Sequence, residues 1–424
     1  MKVDVEKLSG VKRTLQVNLE WSEIADQYQA IFQDLRKRLK VDGFRPGKVP
    51  ESVAWRQLRP QVKSQFGNRI IEDTLPRALT EQGIQEYLDL KVIDLHYDEE
   101  QPFVYKVEVE MDPEVGLPPY EKGFKVVRNE YIVDPASVDA YLEDLRGQAA
   151  EIQEITTGAQ EGHYLLADIQ ELDATGVPLV GRKLPGRLIK VGEGMFGGPG
   201  AANLRGVQAG AEVQISVENE KKQTQRYAIS VKRVEQHTLP ELTDDFVQAH
   251  FKDLKTYTEL RQRVEEKLQN DWQRQAEDEL ARAIADYFVD NADLEVPEFR
   301  VQWYLDKVIE NLKNSRKNQP QTLDEQKIRD ERRPAAERNV RWYLIQRAIR
   351  KQAGIQVSEA EIDDAIARIR QGFPENQQAQ VDQYYHKRAN RLEVEMDLAD
   401  RKVIEHLKQF IKEKKQVIHT ATLT

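Results

Sequence analysis

Ten of the chain's 22 glycines fall between Gly176 and Gly210. Glycine at that density weakens any helix by about 1 kcal/mol per position, so the stretch cannot be one. Short runs with strand character sit around it: Tyr164 to Leu172, Leu188 to Val191, Val213 to Val217 and Arg226 to Val234. Together they predict a small mostly-β domain over residues 158–237. The flanks read differently, and 424 residues exceed one ordinary domain, so the chain is expected to be multidomain α+β.

Residues 1–20 predict a hairpin, because Val11, Leu15, Val17 and Leu19 alternate with polar neighbours and Ser9-Gly10 supplies a turn. Ser22 is placed to cap a helix carrying Trp21, Ile24, Tyr28, Ile31, Leu35 and Leu39 as one apolar stripe. Helix resumes from Glu51, Pro60 is expected to break or restart it, and Asn68 to Gly83 carries on. Leu90 to Leu95 and Phe103 to Met111 predict strands, which makes residues 1–112 an α+β domain. A proline-rich linker from Asp112-Pro113 to Pro118-Pro119 leads to a helix capped by Asp134-Pro135, so residues 113–157 read as linker and linker helix.

From Leu239 the pattern is helical to the end, giving an all-α domain over residues 238–424 with long helical arms. Val301, Leu305, Val308 and Leu312 mark one stripe, and Ser358-x-x-Glu361 is a capping box before Ile362, Ile366 and Ile369. Residues 380–415 predict a further long helix with Leu392, Met396, Ala399, Val403, Leu407 and Phe410 facing inward. The same stripes suit arms that enclose a groove or an inert bundle.

Composition narrows the functional classes. With no cysteine, disulfides and thiolate chemistry are excluded. The seven histidines are scattered without ligand spacing, so no metal is expected, and no cofactor. Gly192-x-Gly194-x-x-Gly197 has dinucleotide spacing, but Gly198-Pro199-Gly200 follows where a helix N-terminus would have to stand. The amino terminus lacks an apolar signal core and no run is long enough to span a membrane, so a cytoplasmic protein is expected. Hydrophobic residues at 39 % against charged residues at 32 % suit a helix-rich molecule with much surface.

Within this acidic chain of net charge −10, the segment Arg36 to Lys48 holds six basic residues and one acid, Asp42. It contains Gly43-Phe44-Arg45-Pro46-Gly47-Lys48-Val49-Pro50. Pro46-Gly47 suits the centre of a type II turn, and Pro50 the first turn of a helix. The residue types fit either a connector with Phe44 folded into the core or a rigid docking tip. The wording Gly43-Phe44-Arg45-x-Gly47-Lys48-x-Pro50 resembles the ribosome-docking signature of the trigger factor family. Leu239-Pro240-Glu241-Leu242-Thr243 with Asp244-Asp245-Phe246 resembles the family's entry into its carboxyl-terminal domain.

The resemblance implies a ribosome-binding domain at 1–112, an FKBP-like isomerase domain at 158–237 and a helical chaperone domain at 238–424. It implies an ATP-independent chaperone that docks at the exit tunnel through Gly43, Phe44, Arg45, Pro46, Gly47 and Lys48. Its partners would be a rim protein, ribosomal RNA, and nascent or unfolded polypeptides; a homodimer away from the ribosome stays open. The FKBP-like cleft pattern is degenerate here. Its Asp-Phe reads Asp168-Ile169, its Ile-Pro-Gly-Phe-Glu turn reads Gly197-Gly198-Pro199-Gly200-Ala201, and the flap Glu218 to Gln223 lacks tyrosine. Tyr227 is the sole aromatic left, and each missing apolar side chain removes roughly 1.5–3 kcal/mol of burial. Isomerase activity is therefore expected to be weak or lost, and whether the chain is an enzyme stays open. The alternatives are an active prolyl isomerase and a ribosome-independent holdase.

Overall fold

A computed structural model describes residues 1–42, 44–45, 48–194, 199–218, 224–315 and 323–423. The chain divides into two compact units, Met1–Val127 with Leu280–Lys414, and Arg128–Glu279 with Lys415–Thr424.

The first unit opens with β1 (Lys2–Lys7) and β2 (Lys12–Leu19), an antiparallel pair as the alternation predicts. Helices α1 (Trp21–Arg38) and α2 (Glu51–Glu81) follow, then β3 (Asp89–His96) and β4 (Phe103–Glu110). The sheet order is β1-β2-β4-β3. Leu15, Val17 and Leu19 of β2 meet Phe103, Tyr105 and Val107 of β4 in one core with Tyr28, Phe32, Phe66 and Ile70 from the helices. Buried Thr74 donates to the Ile70 carbonyl at 2.6 Å and pairs with the Tyr105 hydroxyl at 2.8 Å, so neither polar group is orphaned.

Three local expectations need correction here. Glu20, not Ser22, is the cap of α1, and its N–H donates to Glu23 at 3.0 Å. The inward stripe takes Phe32, while Ile31 is only half-buried. Pro60 does not break the helix, because α2 runs unbroken through Pro60 and Pro76. Both prolines, and the residues four positions before them (Arg56 and Glu72), are exposed. The carbonyls that lose a partner therefore lie on the wet face, and the buried row Leu58, Val62, Phe66, Ile70 holds the helix together.

In the second unit, β5 (Phe124–Ile132) leads from the first unit into α3 (Pro135–Gln148) and β6 (Glu151–Glu154). Strands β7 (Tyr164–Leu172), β8 (Pro178–Lys190), β9 (Glu212–Glu218) and β10 (Thr224–Thr238) follow. The order is β6-β10-β7-β8, with β9 also on β10. The glycine-rich region is thus the expected β domain, with Leu165, Ile189, Ile215 and Ile229 in its core. Gly158 at φ +103° shows why glycine is needed: an added Cβ would lie 2.9 Å from the Gly206 carbonyl oxygen. Beside it, α3 packs on α4 (Asp244–His250) and the start of α5 (Tyr257–Asn291) through Val138, Leu142, Val247 and Leu260.

The rest of the first unit is a helical body of α6 (Glu298–Ser315), α7 (Glu325–Ala353), α8 (Glu359–Gln371), α9 (Glu375–Tyr385) and α10 (Arg388–Lys408). Its core joins Tyr120 and Phe124 to Phe288, Leu305, Leu344, Ile345, Val403 and Leu407. Arg341 donates to the carbonyls of Val289, Ala292 and Leu294, so the end of α5 is satisfied from α7. The capping box at Ser358 forms as expected. Glu361 sits at about 2, held down first by Lys402 and then by the Ser358 backbone and hydroxyl.

The chain is not helical to its end. Residues 380–415 divide at His386-Lys387, where the Asn390 amide donates to the Tyr384 carbonyl at 2.7 Å. That carbonyl would bond to residue 388 in a continuous helix. Beyond α10, β11 (Ile411–His419) pairs with β5. Leu392 and Met396, expected inside, are 51 % and 42 % exposed, and the buried stripe is Val394, Ala399, Val403 and Leu407.

Candidate docking loop and apolar groove

Helix α1 ends in Arg36-Lys37-Arg38, and the loop to α2 is closed at its base by the first of these. The Arg36 guanidinium donates to the Val49 carbonyl through Nε at 3.1 Å and Nη2 at 3.0 Å, and Nη1 lies 3.5 Å from Glu51. Val49 is fully buried, and Leu39 and Val41 pack on the same core. The loop therefore leaves and re-enters the domain at fixed points. Between them, the Phe44 N–H donates to Val41 at 3.1 Å and the Lys48 N–H to Arg45 at 2.9 Å. Gly43, Pro46 and Gly47 lie outside the described residues, and the turn type expected there with them.

Phe44 is 42 % exposed, so it is not the core residue of a mere connector. Arg45 and Lys48 are exposed beside it. The six basic residues are not equivalent. Arg36 is taken up at the loop base, and Arg38 pairs with Asp34 at 2.9 Å. Among the described residues Lys37, Lys40, Arg45 and Lys48 form no ion pair, so four cations and one aromatic ring face solvent on the last turn of α1 and the anchored loop that follows it. Such a surface can engage phosphates and carboxylates.

The helical body carries a second site that the sequence reading missed. Phe299 and Trp303 stand one turn apart on α6, 40 % and 56 % exposed. With Tyr304, Val340, Tyr343 and Met396 they line a groove of about 460 Å³. Arg300 also lines it, but its guanidinium is drawn onto Asp112 at 2.5 and 2.7 Å and lies over the Tyr343 ring at 5.1 Å. Arg347 binds the same carboxylate. Burial pushes the Asp112 carboxyl up, but the Arg300 and Arg347 contacts outweigh it and hold it below the usual range. The groove wall is left largely apolar. The i, i+4 aromatic pair on the flank opposite Val301 and Leu305 was the available signal.

In the β domain, Tyr227 packs against the Ile215–Ile229 core and its hydroxyl donates to Gln225 at 2.9 Å, burial pushing its phenol up. Tyr227 faces Glu171 across the β10–β7 register, whereas Asp168 faces Ser230. The odd separation puts Asp168 and Tyr227 on opposite sides of the sheet. Asp168 instead binds Lys232 at 2.6 Å and the Gly186 N–H at 2.8 Å, which hold its carboxyl low. Gly197, Gly198 and residues 219–223 lie outside the described residues. Among the described residues no helix is long and apolar enough to cross a membrane.

The architecture defines a multidomain α+β protein: an α+β amino-terminal domain, a small mostly-β domain and a helical body. A family model described as bacterial trigger factor protein matches residues 1–145, and one described as its C-terminus matches residues 256–409. Trigger factor of Geotalea daltonii is 26 % identical over 426 residues, covering 96 % of each chain. That of Trichlorobacter lovleyi is 27 % identical, covering 92 % of this chain and 91 % of its own. A solved structure, reported for promiscuous substrate recognition in folding and assembly activities of the trigger factor chaperone, aligns with a TM-score of 0.52 at 19 % identity. It covers 96 % of this chain and 99 % of that one. The chain belongs to the trigger factor chaperone family.

Proposed function

We propose that this protein is an ATP-independent chaperone that docks at the ribosomal exit tunnel through Gly43, Phe44, Arg45, Pro46, Gly47 and Lys48 and holds emerging polypeptides. The observation that carries the reading is the exposed Phe44, on a loop clipped at its base by Arg36, near four cations that form no ion pair among the described residues. Phe44 and Arg45 contact the tunnel rim, and the lysines meet ribosomal RNA phosphates. The Phe299–Trp303 groove is part of the surface that holds apolar client segments in the cytoplasm. On this reading the functional division is 1–112 for docking, 113–157 as linker, 158–237 as a degenerate isomerase-like domain and 238–424 for holding clients. The separation of Asp168 from Tyr227 supports an isomerase activity that is weak or lost.

Co-sedimentation with vacant bacterial ribosomes tests the docking. Wild type is expected to pellet. Phe44→Ala with Arg45→Ala, at about 2 kcal/mol per truncated contact, should weaken binding roughly a thousandfold with the fold intact. Equal pelleting of both would remove the loop from the mechanism. Failure of wild type to pellet would make the protein a free holdase.

A further inference from the structure

The amino-terminal domain carries a second recess of opposite character to its loop. It lies between α1, the start of α2 and the β3–β4 turn, with a volume of about 490 Å³, inside the range of about 300–1,000 Å³ usual for ligand sites. Four aromatic rings line it. Trp21 and Tyr28 meet edge to face at 5.2 Å, and Trp55 meets Tyr28 at 5.7 Å and Phe32 at 4.6 Å. The two tryptophans are only half-buried, so they keep surface toward solvent.

The charged residues of the lining are all carboxylates: Glu51, Glu99 and Glu100. Arg36 approaches Glu51 at 3.5 Å. Glu99 accepts the Tyr28 hydroxyl at 2.8 Å, a neutral donor that leaves its charge in place. Among the described residues neither Glu99 nor Glu100 forms an ion pair. Glu100 also stands at φ +59°, the one described non-glycine residue in the left-handed region, a conformation that an unconstrained glutamate would leave.

We propose that this recess is a binding site for an arginine-bearing peptide segment. A guanidinium is flat and weakly hydrated, so it stacks on an indole face and forks onto a carboxylate at the same time. An anion would meet two unneutralised carboxylates, and a purely apolar side chain would desolvate them without return. Charge complementarity thus selects a cation and the rings select a flat one. The site does not depend on docking through the loop.

The test is calorimetric titration of the full-length protein with acetyl-Gly-Arg-Gly-Arg-Gly-amide and with the same peptide carrying citrulline, a neutral isostere. The arginine peptide is expected to bind, the citrulline peptide at least tenfold more weakly. Glu99→Gln with Glu100→Gln should lose at least tenfold for arginine while keeping the wild-type circular dichroism and ribosome pelleting. Equal affinity for both peptides, undiminished affinity in the double variant, or no binding to wild type would overturn the proposal.

Discussion

Asp112 shows how much one side chain can do at a junction. It receives Arg300 by two bonds and Arg347 by another, while the Phe299 N–H donates to buried Glu110 at 2.9 Å two residues earlier. Replacing Asp112 with Asn leaves two guanidinium groups facing a neutral amide. The pair is part-buried, so a loss of about 1–2 kcal/mol is expected, between surface and buried cases. The carboxyl is depressed in the folded protein, so its contribution is complete above the unfolded value of about 3.9 and is lost as pH falls through the lower folded value. Urea unfolding should show a constant gap between wild type and Asp112→Asn from neutral pH to about 4, closing in stronger acid. A gap unchanged at low pH would mean that the ionised carboxylate is not what the arginines recognise. At this scale the sequence was legible where chemistry is local: Phe44 and Arg45 are exposed, and Ser358 with Glu361 forms its box. The role of Asp112 was not legible, because its partners lie far along the chain.

Elements were legible where apolar period and burial agree. β1, β2, β4 and the strands β7, β9 and β10 appear as read, whereas β8, expected only over Leu188 to Val191, begins at Pro178. The failures share a cause. Pro60 looked like a breaker, yet its exposed position lets tertiary packing of Leu58 and Val62 override a local penalty. Replacing Pro60 with Ala restores one helical bond at a site that favours Ala by about 3 kcal/mol, less about 0.4–1 kcal/mol for a more flexible unfolded chain. The urea midpoint of this domain should therefore rise, with a gain of about 2 kcal/mol. A fall instead would show that the proline ring itself packs against something. β11 falls where the sequence predicts helix; Ile411-Lys412-Glu413-Lys414-Lys415-Gln416 is rich in helix formers, and only pairing with distant β5 makes it a strand. No window of sequence contains that information.

For the whole molecule, holding clients and docking call for different surfaces. The loop is polar, basic and anchored, and the α6 groove is aromatic with its one lining cation engaged by Asp112. Phe299→Ala with Trp303→Ala should weaken the holding of an unfolded client by about tenfold, taking about 1–2 kcal/mol for the pair. It should leave ribosome pelleting unchanged. Suppression of client aggregation by light scattering, measured beside pelleting, separates the two; intact suppression would place the holding surface elsewhere. That groove was illegible because the helix stripe points to its buried side, whereas Phe299 and Trp303 stand on the other.

The pairing of β5 with β11 sets a timetable for the protein's own synthesis. The Lys412 ammonium donates to the Lys122 carbonyl at 3.1 Å across 290 residues. Closing so long a loop carries an entropy term on the order of 5 kcal/mol. At about 5–20 residues per second, residue 412 is made on the order of 15–60 s after residue 122. The β1-β2-β4-β3 sheet uses nothing beyond Glu110, so the amino-terminal domain can close during that interval. Tyr120 and Phe124, by contrast, wait for Tyr287 and Phe288 of α5, and their cover is complete only when α10 and β11 arrive. While it is being translated, the chain is itself a half-finished polypeptide with exposed aromatic residues, in need of the kind of shelter it would later give.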